Sequence, residues 1–169
     1  MEFDRLIRER HSVRSYLPNP VEEEKLRKIL EAAVLAPTAA NRQAFRLIVI
    51  ATAGREDELK RIYPKAWFTR PPYVICACSL PAEAWTRKDG KNYSDVDVAI
   101  VMDHLILAAA DRGLGTCWVG AFDAEAAREV LNLPDNVEPV AFTPLGYPAD
   151  EPVAKKRKNL DELVKSETW

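Results

Sequence analysis

Cysteine is scarce in this 169-residue chain. Cys76, Cys78 and Cys117 are odd in number and sit in apolar surroundings, so neither a disulfide framework nor a zinc site fits. They are expected to be reduced and buried. Histidine occurs only at His11 and His104, and neither has a serine, cysteine or carboxylate partner in a triad-like arrangement. Paired-carboxylate motifs and metal-ligand spacings are missing, as are internal repeats and low-complexity segments. No apolar run approaches membrane-spanning length. The opening residues, Met-Glu-Phe-Asp-Arg, lack the apolar run of a signal peptide. The expectation is therefore a cytoplasmic protein with no membrane partner. A net charge of −2 gives no support to a nucleic-acid role. No Gly-x-Gly-x-x-Gly follows a strand and there is no P-loop, so a Rossmann site is not indicated.

What is present suits one domain over residues 1–169, with 47% hydrophobic and 30% charged residues. Residues 2–9 read as a short helix, with Phe3, Leu6 and Ile7 on one side. A second helix starts near Val21, carries Glu22, Glu23 and Glu24 in its first turn, and stops at Pro37. Residues 45–52 form a continuous apolar run, the pattern of a strand covered on both faces. Residues 55–66 look helical, and 73–79 is a second buried strand. Residues 81–93 have no period and read as an irregular loop. The longest helix, about 94–112, is apolar over more than half its circumference, which puts it at the centre of the domain or at a subunit interface. Gly113 and Gly115 end it. A short strand at 116–119, a helix capped by Asp123 and a fourth strand at 137–145 follow. The tail carries Lys155, Lys156, Arg157 and Lys158, then an apolar-striped segment at 160–164. These elements predict an α+β layered fold around a mixed four- or five-stranded sheet.

Three stretches carry candidate chemistry. Arg10, Ser12 and Arg14 alternate in an extended segment, so their side chains face one way and could converge on a phosphate. The bland alternative is two solvated arginines on a loop. At 36–43, Ala-Pro-Thr-Ala-Ala-Asn-Arg-Gln ends a helix in small residues and offers the amides of Asn41 and Gln43. It reads either as a ligand turn or as an ordinary capped one. Gly113-Leu-Gly-Thr-Cys-Trp-Val-Gly120 flanks a strand end with glycines, through close approach to a flat ring or through two ordinary turns around a buried Trp.

Taken in order and spacing, these stretches resemble the nitroreductase family of FMN-dependent enzymes. Arg10–Arg14 resembles its amino-terminal phosphate motif. Residues 36–43 resemble its Ser-Pro-Ser-x-x-Asn-x-Gln-Pro-Trp signature, although Gln43-Ala44-Phe45 stands for Gln-Pro-Trp and Thr38-Ala39 replaces hydroxyl positions. Residues 113–120 resemble the segment beside the flavin ring, and Lys155-Lys156-Arg157 the carboxy-terminal basic pair.

The resemblance implies a homodimer with FMN at the interface. Arg10, Ser12, Arg14, Lys155 and Arg157 would bind the phosphate, ribityl chain and pyrimidine edge, with His11 contributing mainly backbone. Pro37, Thr38, Ala39 and Asn41 would come from the second subunit, and Gln43 would be structural. Backbone groups of Trp118, Val119 and Gly120 would lie near the isoalloxazine. The expected activity is hydride transfer from NADH or NADPH through flavin N5 to a small oxidised molecule, a nitroaromatic or quinone, in ping-pong fashion. No protein acid or base is required, so no catalytic residue is named. A flavin-remodelling enzyme on the same scaffold and a non-catalytic flavin-binding module are the alternatives.

Overall fold

A sheet of four strands lies between two helical layers, and its central strand is apolar on both faces. The computed structural model describes residues 2–169. The elements in chain order are α1 (Phe3–Glu9), α2 (Glu23–Val34), β1 (Phe45–Ala51), α3 (Glu56–Ile62), β2 (Tyr73–Ser79), α4 (Ser94–Asp111), β3 (Gly115–Thr116), α5 (Ala124–Leu131), β4 (Glu138–Gly146) and α6 (Leu160–Leu163). Short 3₁₀ turns occupy Ala39–Asn41 and Ala66–Thr69. The strand order is β1-β2-β4-β3.

The expected mixed sheet is instead antiparallel in every pairing of these strands. Parallel character enters only at a one-residue bridge, Ser12 to Thr116, where the N-terminal segment lies along β3. The β1–β2 and β3–β4 connections each leave and re-enter at the same end of the sheet, so these neighbours run opposite ways.

Alternation along β2 builds two cores. Ile75 and Ala77 face α2 and α4, beside Val98, Val101, Met102 and Leu105. Val74, Cys76 and Cys78 face α3 and α5, beside Leu59, Ile62, Phe68 and Phe142. Each fully buried side chain of this size contributes about 1.5–3 kcal/mol. The three thiols are free and buried. The pairing of β2 with β4 slips between Ala77 and Cys78, which leaves Val140 as an extra residue beside Pro139. Proline has no N–H for a ladder, and a bulge accommodates it.

Three expectations are corrected. β1 is an edge strand whose two faces are covered only in part: Phe45, Leu47 and Val49 pack on one core and Ile48 and Ile50 on the other, and only Ile50 is fully buried. The helix expected over 55–66 ends at Ile62, because Pro64 holds Tyr63 extended (φ −147°, ψ 107°). The third strand stops at Thr116, and Val119 rejoins the sheet through a single bridge to Phe142.

The long helix α4 lies at the centre, as its composition suggests. It packs on α1, α2 and all four strands. No helix among the described residues is long and apolar enough to cross a membrane.

Candidate functional site

The N-terminal cluster is held against β3 at Val13. Val13 is 2% exposed, and its N–H donates to the Thr116 carbonyl at 2.9 Å. With Val13 turned inward, Ser12 and Arg14 face solvent on the other side, and Arg10 and His11 lie half-buried next to them. Alternation in an extended segment produces this division.

The far end of the chain grips the same segment. The Arg14 N–H donates to Asp150 Oδ2 at 2.9 Å, and His11 Nε2 lies 3.4 Å from Asp150 Oδ1. The Ala149 N–H donates to the Ser15 carbonyl at 2.8 Å. Asp150 is thus an anchor of the basic cluster. Sequence reasoning missed it, because nothing local marks an aspartate whose partners lie 136 positions away.

These contacts close a pocket of about 480 Å³ whose wall includes Arg10, His11, Ser12, Arg14, Lys155 and Arg157. The structure therefore brings both basic stretches together from opposite ends of the chain. Lys155 Nζ donates to the Ile7 carbonyl at 2.6 Å. Burial, and then the nearby guanidiniums of Arg10 and Arg157, hold the Lys155 ammonium below the usual lysine range. Asp150 and Glu151 are the acids in this wall.

Beside the pocket, the Arg14 guanidinium stands over the Trp67 ring, 5.9 Å from its centroid. Trp67 packs edge-on against Tyr63, at 5.5 Å between centroids. Phe68 continues the aromatic chain to Phe142, which exchanges hydrogen bonds with Val119. Trp67 was also invisible as a site residue in sequence, where it falls just past the helix expected over 55–66. Trp118 and Gly120 are exposed and Val119 is buried. A Cβ on Gly120 would meet nothing nearer than Trp118 Nε1 at 3.7 Å, so no close approach within the chain requires glycine there. Cys117 lies beneath the cluster, its thiol pushed up by burial against the pull of Arg14.

The second cluster lies elsewhere. None of Pro37, Thr38, Ala39 or Asn41 lines the basic pocket. The turn is backbone-strained: Ala40, Asn41 and Gln43 have φ of 51°, 53° and 52°. Left-handed alanine is uncommon and persists only where surroundings impose it. Gln43 serves the turn itself, with its N–H donating to Thr38 Oγ1 at 3.0 Å and its amide to the Asn41 carbonyl at 3.3 Å. The Ala39 N–H donates to Asp97 Oδ1 at 2.8 Å, which ties the turn to the first turn of α4. The basic cluster instead meets β3, just beyond the last turn of α4. At 1.5 Å per residue, the stretch of α4 from Asp97 to Asp111 that separates the two clusters is about 21 Å long.

Comparison with known proteins gives the family. The nitroreductase family model matches residues 7–67 and 63–147. A nitroreductase family protein of Clostridium difficile 630 superposes with a TM-score of 0.89, at 39% identity over 100% of both chains. One from Clostridium novyi NT superposes at 0.82, with 33% identity over 89% of this chain and 87% of that one. An NADPH-dependent oxidoreductase of Staphylococcus aureus is 27% identical over 94% of this chain and 70% of its own length. By fold, by sequence and by the order of its motifs, this chain belongs to the nitroreductase family.

Proposed function

We propose that the chain is an NAD(P)H-dependent oxidoreductase. On this reading it is a single FMN-binding domain that holds the flavin between two copies of itself and reduces a small oxidised molecule of the nitroaromatic or quinone type. One observation carries the reading. Arg10, Arg14, Lys155 and Arg157 surround one pocket, where burial, and then the charges of Arg10 and Arg157, disfavour the charge on Lys155. A phosphate monoester, with a charge of about −1.5 to −2, relieves that repulsion and supplies acceptors for every cation. Ser12 adds a hydroxyl, and His11 contributes backbone while Asp150 orients its ring.

The homodimer is part of the same proposal. One chain separates its basic pocket from its Thr38–Asn41 turn by most of α4, a longer span than an extended mononucleotide covers. A two-fold partner supplies the missing half to each site. Apolar surface is left for such a partner. Val34 and Leu35 at the end of α2, and Leu160, Leu163, Val164 and Trp169 in the tail, are all exposed. Edge strand β1 leaves Phe45, Leu47 and Val49 half-covered against α2.

When bound, FMN supplies the electron chemistry, accepting a hydride from NADH or NADPH and passing it on. The backbone of Trp118, Val119 and Gly120 would flank the flavin ring, and Lys155 and Arg157 would hold its phosphate end. Positive side chains near the cofactor also favour added negative charge on it. Each ~1.4 kcal/mol of such preference raises a two-electron potential by ~30 mV. Reductant and oxidant take turns at one open face, which gives ping-pong kinetics. The free, buried thiols fit a reducing, cytoplasmic setting.

An anaerobic absorbance titration tests the proposal. Protein reconstituted with FMN should be yellow, bleach with NADH or NADPH, and regain colour with a quinone. Protein that stays colourless in excess FMN overturns it. Protein that is yellow but never bleaches is a binding module instead.

A further inference from the structure

Asp97 is the only buried charged side chain among the described residues, at 1% exposure. A carboxylate in the first turn of a helix complements the helix dipole, but that role needs no burial. Asp95, two residues earlier on α4, stands exposed in the same turn. Burial has to be explained by what Asp97 touches, and its one hydrogen-bond partner is the Ala39 N–H, at 2.8 Å from Oδ1. The other oxygen, Oδ2, is shut off from solvent and has no partner among the described residues.

A buried carboxylate with one idle oxygen is a costly way to hold one amide. A charged acceptor, however, makes a stronger bond than a neutral one. The turn it holds needs that strength. Three of its residues, Ala40, Asn41 and Gln43, are non-glycine and left-handed. The turn's own bonds, Asn41 N–H to the Thr38 carbonyl, Arg42 N–H to the Ala39 carbonyl, Gln43 N–H to Thr38 Oγ1 and the Gln43 side-chain amide to Asn41, stay within it. They shape the turn without fixing where it stands on the domain: the Ala44 carbonyl just past its end accepts from the Leu80 N–H at 3.0 Å, and Asp97 supplies the attachment at its Ala39 end.

We propose that Asp97 is the positioning residue for the second half of the flavin site. By pinning the Ala39 amide to α4, it sets the pose in which Thr38, Ala39 and Asn41 meet the FMN held by the other protomer. The inference rests on the flavin reading above. It adds a residue that touches neither cofactor nor substrate and acts only through the turn.

Three full-length variants test it: Asp97→Ala, Asp97→Asn and Ala39→Pro. The last removes the donor and leaves the carboxylate, and the extended ψ of 156° at Thr38 suits a residue before proline. Two quantities are measured: FMN affinity, by quenching of flavin fluorescence, and amide exchange over residues 37–44 without flavin. Asp97→Ala and Ala39→Pro should each weaken FMN binding by about 10- to 100-fold. Both should also speed exchange in the turn. Asp97→Asn, which keeps an acceptor, should recover a large part of both losses.

Wild-type affinity in Asp97→Ala or in Ala39→Pro overturns the proposal, as does an Asn variant no better than Ala. Should Asp97→Ala fail to fold, Ala39→Pro decides alone. Wild-type protein that takes up no FMN defeats the flavin reading, while the exchange comparison still decides whether Asp97 holds the turn.

Discussion

Val13 fills the space that a side chain on Gly115 would need: a Cβ added to Gly115 would stand 2.6 Å from Val13 Cγ2. The basic segment docks on β3 through that gap. Gly115→Ala should therefore cost about 1–3 kcal/mol of stability, the usual range for an overpacked contact. It should also weaken FMN binding, because Ser12 and Arg14 are displaced with Val13. Urea unfolding and flavin titration on the same variant measure the two effects, and a variant unchanged in both refutes the docking role.

Arg14→Glu separates binding from folding. The Arg14 side chain is exposed, and its tie to Asp150 runs through the backbone N–H, which survives the substitution. Stability should stay within about 0.5 kcal/mol of wild type. FMN affinity should fall by more than about 100-fold, from a lost charged contact and a new repulsion. Stoichiometric FMN in the purified variant would show that Arg14 does not face the phosphate.

Mixing variants tests whether each site spans two chains. In a heterodimer of Arg14→Glu and Asn41→Ala, one site carries both defects and the other carries neither. Such heterodimers should hold one FMN where each homodimer holds almost none. If each site were built from a single chain, the mixture would bind no better than its components.

Lys155 gives the flavin affinity an alkaline limit. Burial, then Arg10 and Arg157, make the folded protein hold this proton less tightly than the unfolded chain does. The charged form is therefore a liability to the ligand-free fold, and the liability disappears as pH rises through the lowered pKa. Bound phosphate reverses the preference, because it needs the ammonium. FMN affinity should then decline with rising pH before the ordinary lysine range near about 10.4 is reached. Titrations from neutral to alkaline pH should show this decline in wild type. Lys155→Met should bind more weakly at neutral pH and lose the decline.

Local pattern made much of this molecule legible. The run from Tyr73 to Ser79 is a strand with the bounds its composition suggests, and α4 is central as its apolar girth implies. The basic stretches at Arg10–Arg14 and Lys155–Arg157 do meet. What stayed hidden depends on neighbours that no window of sequence contains. The apolar run of β1 looks like a covered strand, yet its place at the sheet edge is decided by strand order. Asp97 looks like a helix-starting acid and Asp150 like a loop acid, and each matters through a backbone amide far away in the chain. Trp67 acquires a role only once Pro64 breaks the helix and Arg14 arrives over its ring.

The grip of Asp150 on Arg14 also orders events during biosynthesis. Its two ends are 136 positions apart, and Lys155 reaches the Ile7 carbonyl across 148. Closing so long a loop comes late, after nearer contacts have formed. Until residues 150–157 have been made and have docked on the N-terminal segment, the basic pocket is unfinished. On the flavin reading, a chain cut short of residue 150 could not hold the cofactor.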